Sequence, residues 1–302
     1  MNRFNSKLLL FGEYGLLYGA DALAVPFPKF GGSLKFTADT KDKTIINSRS
    51  EIQQFFSTFD ATNFNARMHY PLQMEALRND LQKGLYFESD IPVQYGLGSS
   101  GALCAAIFER YSTFIKNETV LKDNDILQHL KKDFSLLENN FHGRSSGIDP
   151  LVSFINRPVL FSLQNIQLPQ IKNQGNEFSV FLIDTKMKSS TAPLVALFKQ
   201  KMENADFKKR FQKDFLPANN NAIQAFLEGN KQELFQHLKQ ICAFQSEHFA
   251  EMIPESFKNF FKNSTQNNTP VKLLGSGGGG FLLAFADTEN DLPDDFSKIQ
   301  VL

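Results

Sequence analysis

The sequence predicts an α+β fold in two domains, and three observations carry that prediction. Strand-like and helix-like segments follow one another without the regular alternation of a doubly wound sheet. At 302 residues, the chain has the length of about two domains. A polar stretch containing Pro and Gly, Leu168–Asn176, interrupts the periodic pattern and separates residues 1–170 from residues 171–302.

The elements follow in order. Lys7–Phe11 is a short apolar run that reads as a buried strand, closed by the turn-forming Gly12, Gly15 and Gly19. Leu34 and Phe36 alternate with polar neighbours and Thr44-Ile45-Ile46 is rich in β-branched residues, so two further strands are expected there. Pro71 opens a helical pattern carrying Met74, Leu77 and Leu81, with Gly84 as its stop. Phe87–Val93 reads as extended. Leu103, Ile107, Tyr111 and Phe114 then share one helical face, as do Ile126, Leu130, Phe134 and Leu137 in a helix over 126–141 that His142-Gly143 should end. In the second half, a strand is expected at Phe178–Ile183. Helices follow at Ala192–Met202 and Ala222–Met252, the latter broken near Gly229, before a surface loop at 263–269 and a strand at Val271–Leu274.

Composition narrows the function. The 32 Lys+Arg balance the 32 Asp+Glu, with no basic stripe of the kind a nucleic-acid binder carries. Cys104 and Cys242 are too few for a disulfide framework and suit a reducing cytoplasm. The five histidines show no zinc spacing. Near the N-terminus, Ala22-Leu23-Ala24 imitates a signal-peptidase site. The uninterrupted apolar core before it, however, is only Leu8–Phe11, short of the about 7–15 residues a secretory segment needs. No stretch approaches the roughly 20 apolar residues of a membrane span. The 32 phenylalanines fall mostly in apolar-periodic segments and are expected to be core.

Three polar clusters carry the chemistry. Gly96-Leu97-Gly98-Ser99-Ser100-Gly101 leads directly into a helix, whose first N–H groups lack partners and favour an anion. Glycines allow the backbone to close on phosphate, and the serines add hydroxyls. Two other readings stand beside this one: a Gly/Ser connection with serine as N-cap, and the dinucleotide fingerprint that GxGxxG spells. The latter requires an acidic residue about 20 positions on, closing a second strand, where this chain has only the polar segment 118–126. A Walker A loop is excluded, because no Gly-Lys-Ser/Thr occurs. The second cluster runs from Glu138 to Asp149. Glu138 could supply a carboxylate and Ser100 a hydroxyl to magnesium, although Glu138 also fits a solvated helix face, and Asp149 before Pro150 also fits a helix N-cap. The third is Gly275–Gly280, whose four consecutive glycines argue for close approach of backbone or ligand, with a flexible hairpin as the alternative.

Together and in this order, the three clusters resemble the GHMP kinase superfamily, which includes galactokinase, homoserine kinase, mevalonate kinase and phosphomevalonate kinase. Pro92-Val93-Gln94-Tyr95-Gly96-Leu97-Gly98-Ser99-Ser100 is similar to its Pro-x3-Gly-Leu-Gly-Ser-Ser-Ala motif, with Gly101 in place of the alanine. Within the superfamily the mevalonate kinase family is most similar. Ser6-Lys7, Gly12-Glu13-Tyr14, Tyr18-Gly19 and Ala22-Leu23-Ala24 resemble its opening. His142-Gly143-Arg144-Ser145-Ser146-Gly147-Ile148-Asp149 resembles its His-Gly-x-Pro-Ser-Gly-x-Asp, and Asp184-Thr185 through Thr191 and Leu194-Val195 a third segment. Tyr14 stands where that family has histidine, Ser145 where it has proline, and Ser189 where an arginine is common.

The resemblance implies a two-domain fold, with an N-terminal domain like the second domain of ribosomal protein S5 and a ferredoxin-like C-terminal domain. It implies ATP and Mg2+ as cofactors, with a small-molecule alcohol, mevalonate, as substrate, in a monomer or homodimer that binds neither nucleic acid nor membrane; the alternatives are a kinase of the same superfamily for phosphomevalonate, homoserine or a sugar, or a non-catalytic metabolite sensor on that fold. Asp149 would be catalytic with Lys7 as its partner. Pro92, Gly96, Leu97, Gly98, Ser99, Ser100 and Gly101 would hold the nucleotide, and Ser100 and Glu138 the magnesium. Glu13, Tyr14, Ser146, Thr191, Gly277 and Gly278 would meet the substrate. The Lys7–Asp149 pair would orient the hydroxyl and stabilise developing charge more than remove its proton early.

Overall fold

In the computed structural model, residues 1–38, 40–61, 63–142, 145–163, 165–172, 178–264 and 266–301 are described. Apolar residues pair first in a hairpin of β1 (Phe4–Phe11) and the long β2 (Ala22–Phe36). Then come α1 (Lys43–Ala61), α2 (Met74–Gln82), β3 (Leu85–Ser89), α3 (Ser99–Tyr111), α4 (Asn124–His142), α5 (Ile148–Ile155), β4 (Val159–Phe161) and β5 (Ile166–Gln167). The strands form one antiparallel sheet in the order β1-β2-β4-β5, with β3 also on β2. Helices α3, α4 and α5 pack together, burying Leu103, Ile107, Phe108, Phe134, Leu137, Leu151 and Phe154.

The second half holds β6 (Ser179–Asp184), α6 (Thr191–Glu203), α7 (Ala205–Arg210), a π-helical turn at Phe211–Phe215, α8 (Leu216–Glu228), α9 (Lys231–His248), α10 (Lys258–Ser264), β7 (Val271–Leu273), β8 (Phe281–Ala286) and β9 (Lys298–Gln300). Its four strands lie antiparallel in the order β7-β8-β6-β9. Counted within this half the order is 2-3-1-4, the ferredoxin-like arrangement. Its second crossover is reduced, among the described residues, to a 3₁₀ turn at Glu289–Asp291. The architecture is thus α+β with two sheets, one on each side of the 168–176 segment, of which 173–176 lie outside the described residues. Phenylalanines fill the core as expected: Phe198, Phe211, Phe215, Phe244 and Phe249 form one connected cluster in the second half. No helix among the described residues is long and apolar enough to cross a membrane.

Several boundaries differ from the sequence reading. Thr44-Ile45-Ile46 is no strand but the first turn of α1. Asp42 accepts the Thr44 amide at 2.8 Å and turns the chain into the helix, and Ile52, Phe55 and Phe59 then bury at helical spacing while Ile46 stays 46% exposed. Burial of that helical stripe outweighs the β-preference of three residues. The helix expected from Pro71 begins at Met74, because Leu72 bridges Ser112 and the Gln73 amide is drawn to the Tyr111 carbonyl at 2.7 Å. The extended run expected to Val93 ends as strand at Ser89. Gly84 and Gly229 do close their helices in the left-handed conformation. The stop expected at Gly143 lies outside the described residues.

Candidate active site

The site is assembled where β1, the start of α3 and the start of α5 meet. Lys7 sits on β1, and its amide donates to the Leu97 carbonyl at 3.0 Å, which fastens the glycine-serine loop to the sheet. Leu97 itself is buried and anchors the loop from below. Gly98 then adopts φ +75° as the N-cap of α3, with no side-chain cap, so the helix opens on backbone N–H groups. A side chain at Gly98 would stand 3.0 Å from Lys7 Cγ and 3.4 Å from Asp149 Oδ2. The glycine therefore lets the loop touch the pair that the family resemblance nominates for catalysis.

That pair is formed. Lys7 Nζ lies 3.0 Å from Asp149 Oδ2, with the lysine side chain 8% and the aspartate 33% exposed. Asp149 is not the N-cap that its neighbour Pro150 suggested. Gly147 holds that position at φ +74°, and Asp149 falls inside the first turn of α5, leaving its carboxylate directed to Lys7. Gly101 has a packing role here. A β-carbon on it would come within 2.9 Å of the Asp149 carbonyl carbon and of Pro150 N, so the start of α3 can lie on the start of α5 only with glycine at 101.

Glu138, from α4, closes the third side. It is 5% exposed; Ser100 Oγ donates to Oε1 at 3.1 Å and Ser145 Oγ donates to Oε2. Burial, and after it the Asp149 charge, push its carboxyl up to about 7, against the two serine hydrogen bonds and Lys7. A buried carboxylate with a serine hydroxyl on each oxygen, one of them the Ser100 hydroxyl of the glycine-serine loop, fits a magnesium ion. Mg2+ takes one or two carboxylates and completes its octahedron with phosphate and water. Among the described residues no group of three or more His, Cys, Asp or Glu could hold a metal by itself.

The opposite wall comes from the second half. Gly275, Gly277, Gly278 and Gly280 all have φ between +66° and +76°. A side chain at Gly280 would meet the Tyr95 carbonyl at 2.9 Å, and Ser189 N donates to Gln94 O at 3.1 Å. The second glycine loop therefore rests on the first.

Known proteins resemble this chain in sequence and in fold. Residues 67–156 match the family model of the GHMP kinases N terminal domain. The mevalonate kinase of Pyrococcus horikoshii is 28% identical over 213 residues, covering 66% of this chain and 60% of that protein. The mevalonate kinase of Thermococcus onnurineus is 24% identical over 309 residues, covering 93% and 87%. The chain is thus similar to GHMP kinases. Solved GHMP kinases share its fold: L. major mevalonate kinase in complex with R-mevalonate has a TM-score of 0.64 at 17% identity, covering 96% of this chain and 88% of that one. The phosphomevalonate kinase of Streptococcus pneumoniae in complex with phosphomevalonate and AMPPNP has a TM-score of 0.62 at 14% identity, covering 96% and 93%.

Not every residue expected at the substrate faces the cleft. Glu13 is turned away: its carboxylate is fully buried and pairs with Lys272, whose Nζ also donates to Leu10 O at 2.9 Å and Leu273 O at 3.0 Å. Burial raises its carboxyl against the nearby Lys272 and Lys7 charges. Glu13 thus joins the two halves of the molecule. Tyr14 is 7% exposed, stacked on Phe198 at 4.4 Å, and its hydroxyl donates to Ser276 O at 2.6 Å. Ser146 is exposed at the turn before α5. Thr191 is exposed at the first turn of α6, 3.4 Å from Ser276 Oγ. Pro92 is half-buried at the entry to the loop, and Gly277 and Gly278 line the second glycine loop.

Two contributors were missed by the sequence reading. Ser145 holds Glu138, and Lys272 holds Glu13. A lysine set between apolar residues just before a glycine run was the available signal for the second. The first had none beyond its place in the 138–149 segment.

Proposed function

We propose that this protein is an ATP-dependent kinase that phosphorylates the primary hydroxyl of mevalonate. The observation that carries the reading is the Lys7–Asp149 pair at 3.0 Å, held against the glycine-serine loop at Gly98 with the buried Glu138 beside it. The loop amides and the N-terminus of α3 would cradle the triphosphate. Ser100 and Glu138 would hold Mg2+, which, when bound, supplies neutralisation of phosphate charge. Asp149 would accept a hydrogen bond from the substrate hydroxyl, and Lys7 would hold that carboxylate in line and balance charge on the oxygen as it attacks. Little covalent work is asked of the protein in phosphoryl transfer, so position and charge carry the rate.

The choice of mevalonate is supported by the names of the aligned relatives and by the 142–149 and 184–195 segments. Tyr14 and Ser189 bear on it directly, because neither offers the positive charge that an imidazolium or guanidinium would give a carboxylate. The test is a coupled ADP-release assay of the purified protein with mevalonate, phosphomevalonate, homoserine and galactose. Turnover of mevalonate above the others supports the substrate. Turnover of another alcohol with kcat/KM above about 10⁴ M⁻¹s⁻¹ keeps the kinase and replaces its substrate. No turnover of any alcohol, with nucleotide bound, favours a metabolite sensor on the same fold.

A further inference from the structure

The second glycine loop is held by two hydroxyls that act on consecutive carbonyls. Tyr14 Oη, from the first half of the chain, donates to Ser276 O at 2.6 Å; Ser189 Oγ donates to Gly277 O. Both donors are themselves fixed. The Tyr14 ring stacks on Phe198 and meets Phe249 edge-on, and its backbone lies at φ +56°, a region a tyrosine seldom adopts without compensation. Ser189 is tied through its amide to Gln94 O at 3.1 Å, at the entry to the phosphate loop. The loop between them is made of residues with little conformational preference of their own, since Gly275, Gly277, Gly278 and Gly280 all sit at positive φ. In a trans peptide the N–H and C=O point to opposite sides. Holding Ser276 O toward Tyr14 therefore turns the Gly277 amide the other way, and holding Gly277 O toward Ser189 turns the Gly278 amide, which donates to Met252 O at 2.6 Å.

We propose that Tyr14 and Ser189 are positioning residues, a pair of hydroxyls that fix the peptide planes of Ser276 and Gly277 and so present the Gly277 amide to the acceptor alcohol, without touching that alcohol themselves. The proposal rests on the kinase reading above. It follows that the two positions act as one unit on the same stretch of backbone, although they stand 175 residues apart in the sequence. It also follows that recognition of the acceptor on this wall is by backbone, and that the nucleotide side of the cleft is indifferent to both hydroxyls.

Steady-state kinetics on Tyr14→Phe, Ser189→Ala and the double variant test this, with the alcohol that wild type turns over best. A net hydrogen bond is worth a factor of about 2–12, so each single variant should raise KM for the alcohol several-fold while KM for ATP changes less than about twofold. The double variant should fall short of the product of the two, because either loss already frees the loop. Ser189→Thr, which keeps the hydroxyl, should restore wild-type KM. An unchanged KM for the alcohol in both single variants overturns the proposal. So does a Tyr14→Phe variant that alters the ranking of alcohols while Ser189→Ala behaves as wild type, since Tyr14 would then contact substrate directly. Melting temperatures are read alongside; if Tyr14→Phe unfolds, the Ala and Thr variants at 189 decide by themselves. Wild type inactive on every alcohol refutes the kinase reading, and this inference falls with it. Active wild type with unmoved variants refutes the inference only.

Discussion

Glu138 should make the ligand-free protein lose stability as pH rises, and substituting it by glutamine should remove that loss. Its carboxyl is raised from an ordinary 4.5 to about 7, chiefly by burial and then by the Asp149 charge. A carboxyl raised in the fold holds its proton more tightly folded than unfolded. Its stabilising effect is therefore complete below about pH 4.5 and is lost as pH rises through about 7. At 1.36 kcal/mol per pH unit, the difference is worth about 3 kcal/mol. For a folding unit of 150–250 residues, each kcal/mol moves Tm by about 2–4 °C, so the effect on Tm is roughly 6–12 °C. Glutamine fills the same space and can still pair with the Ser100 and Ser145 hydroxyls, but it carries no titration. The assay is thermal unfolding of wild type and Glu138→Gln in parallel from pH 5 to pH 8, without nucleotide or magnesium. The difference between the two curves cancels other titrating groups. Wild type should lose several degrees relative to the variant across this window, and saturating MgATP should restore much of that loss by stabilising the carboxylate. Parallel pH profiles for the two proteins would refute the reasoning, because the carboxylate would then lie in no low-dielectric, charge-poor setting.

Three further outcomes are expected. Asp149→Asn should bind ATP as wild type does in equilibrium titrations while losing about 10²–10⁴ in kcat, since the charge is needed as the hydroxyl reacts; early melting with lost ATP affinity would mark Asp149 as structural. Ser100→Ala should raise the magnesium concentration for half-maximal rate, read from a metal titration at fixed ATP, and an unchanged titration removes Ser100 from the metal site. Gly101→Ala, which restores the residue common in the superfamily motif, should destabilise this chain by about 1–3 kcal/mol and lower kcat, because its β-carbon meets Asp149 and Pro150 at 2.9 Å; a denaturation midpoint equal to wild type would contradict that packing.

What the sequence by itself determined is what short-range physics encodes. The glycine-serine loop opening a helix, the stripe of α4, the stripe of α3 as far as Tyr111, and the glycine stops at 84 and 229 depend on residues a few positions apart and could be read from spacing; the face expected to reach Phe114 stops short of it, because the chain turns extended at Ser112. The proposed catalytic pair was legible only through resemblance, since Lys7 and Asp149 are far apart in the chain and no local signal joins them. Short-range preference also misled. The β-branched Thr44–Ile46 entered a helix because Ile52, Phe55 and Phe59 gained more by burying one face than three residues lost in propensity. Only the tertiary structure decided which polar residues face the cleft. Glu13 meets Lys272 across 259 positions and Tyr14 meets Ser276 across 262. The outcome for each depends on which side of the interface between the two halves its side chain enters. A charged or phenolic group that finds a buried partner there is held in the scaffold, because the low dielectric that makes an unpaired group costly also makes the paired one hard to release. Lys7, Asp149 and Ser100 come to one place because Gly98 and Gly101 let the starts of α3 and α5 close on one another, and Glu138 reaches the same place from α4.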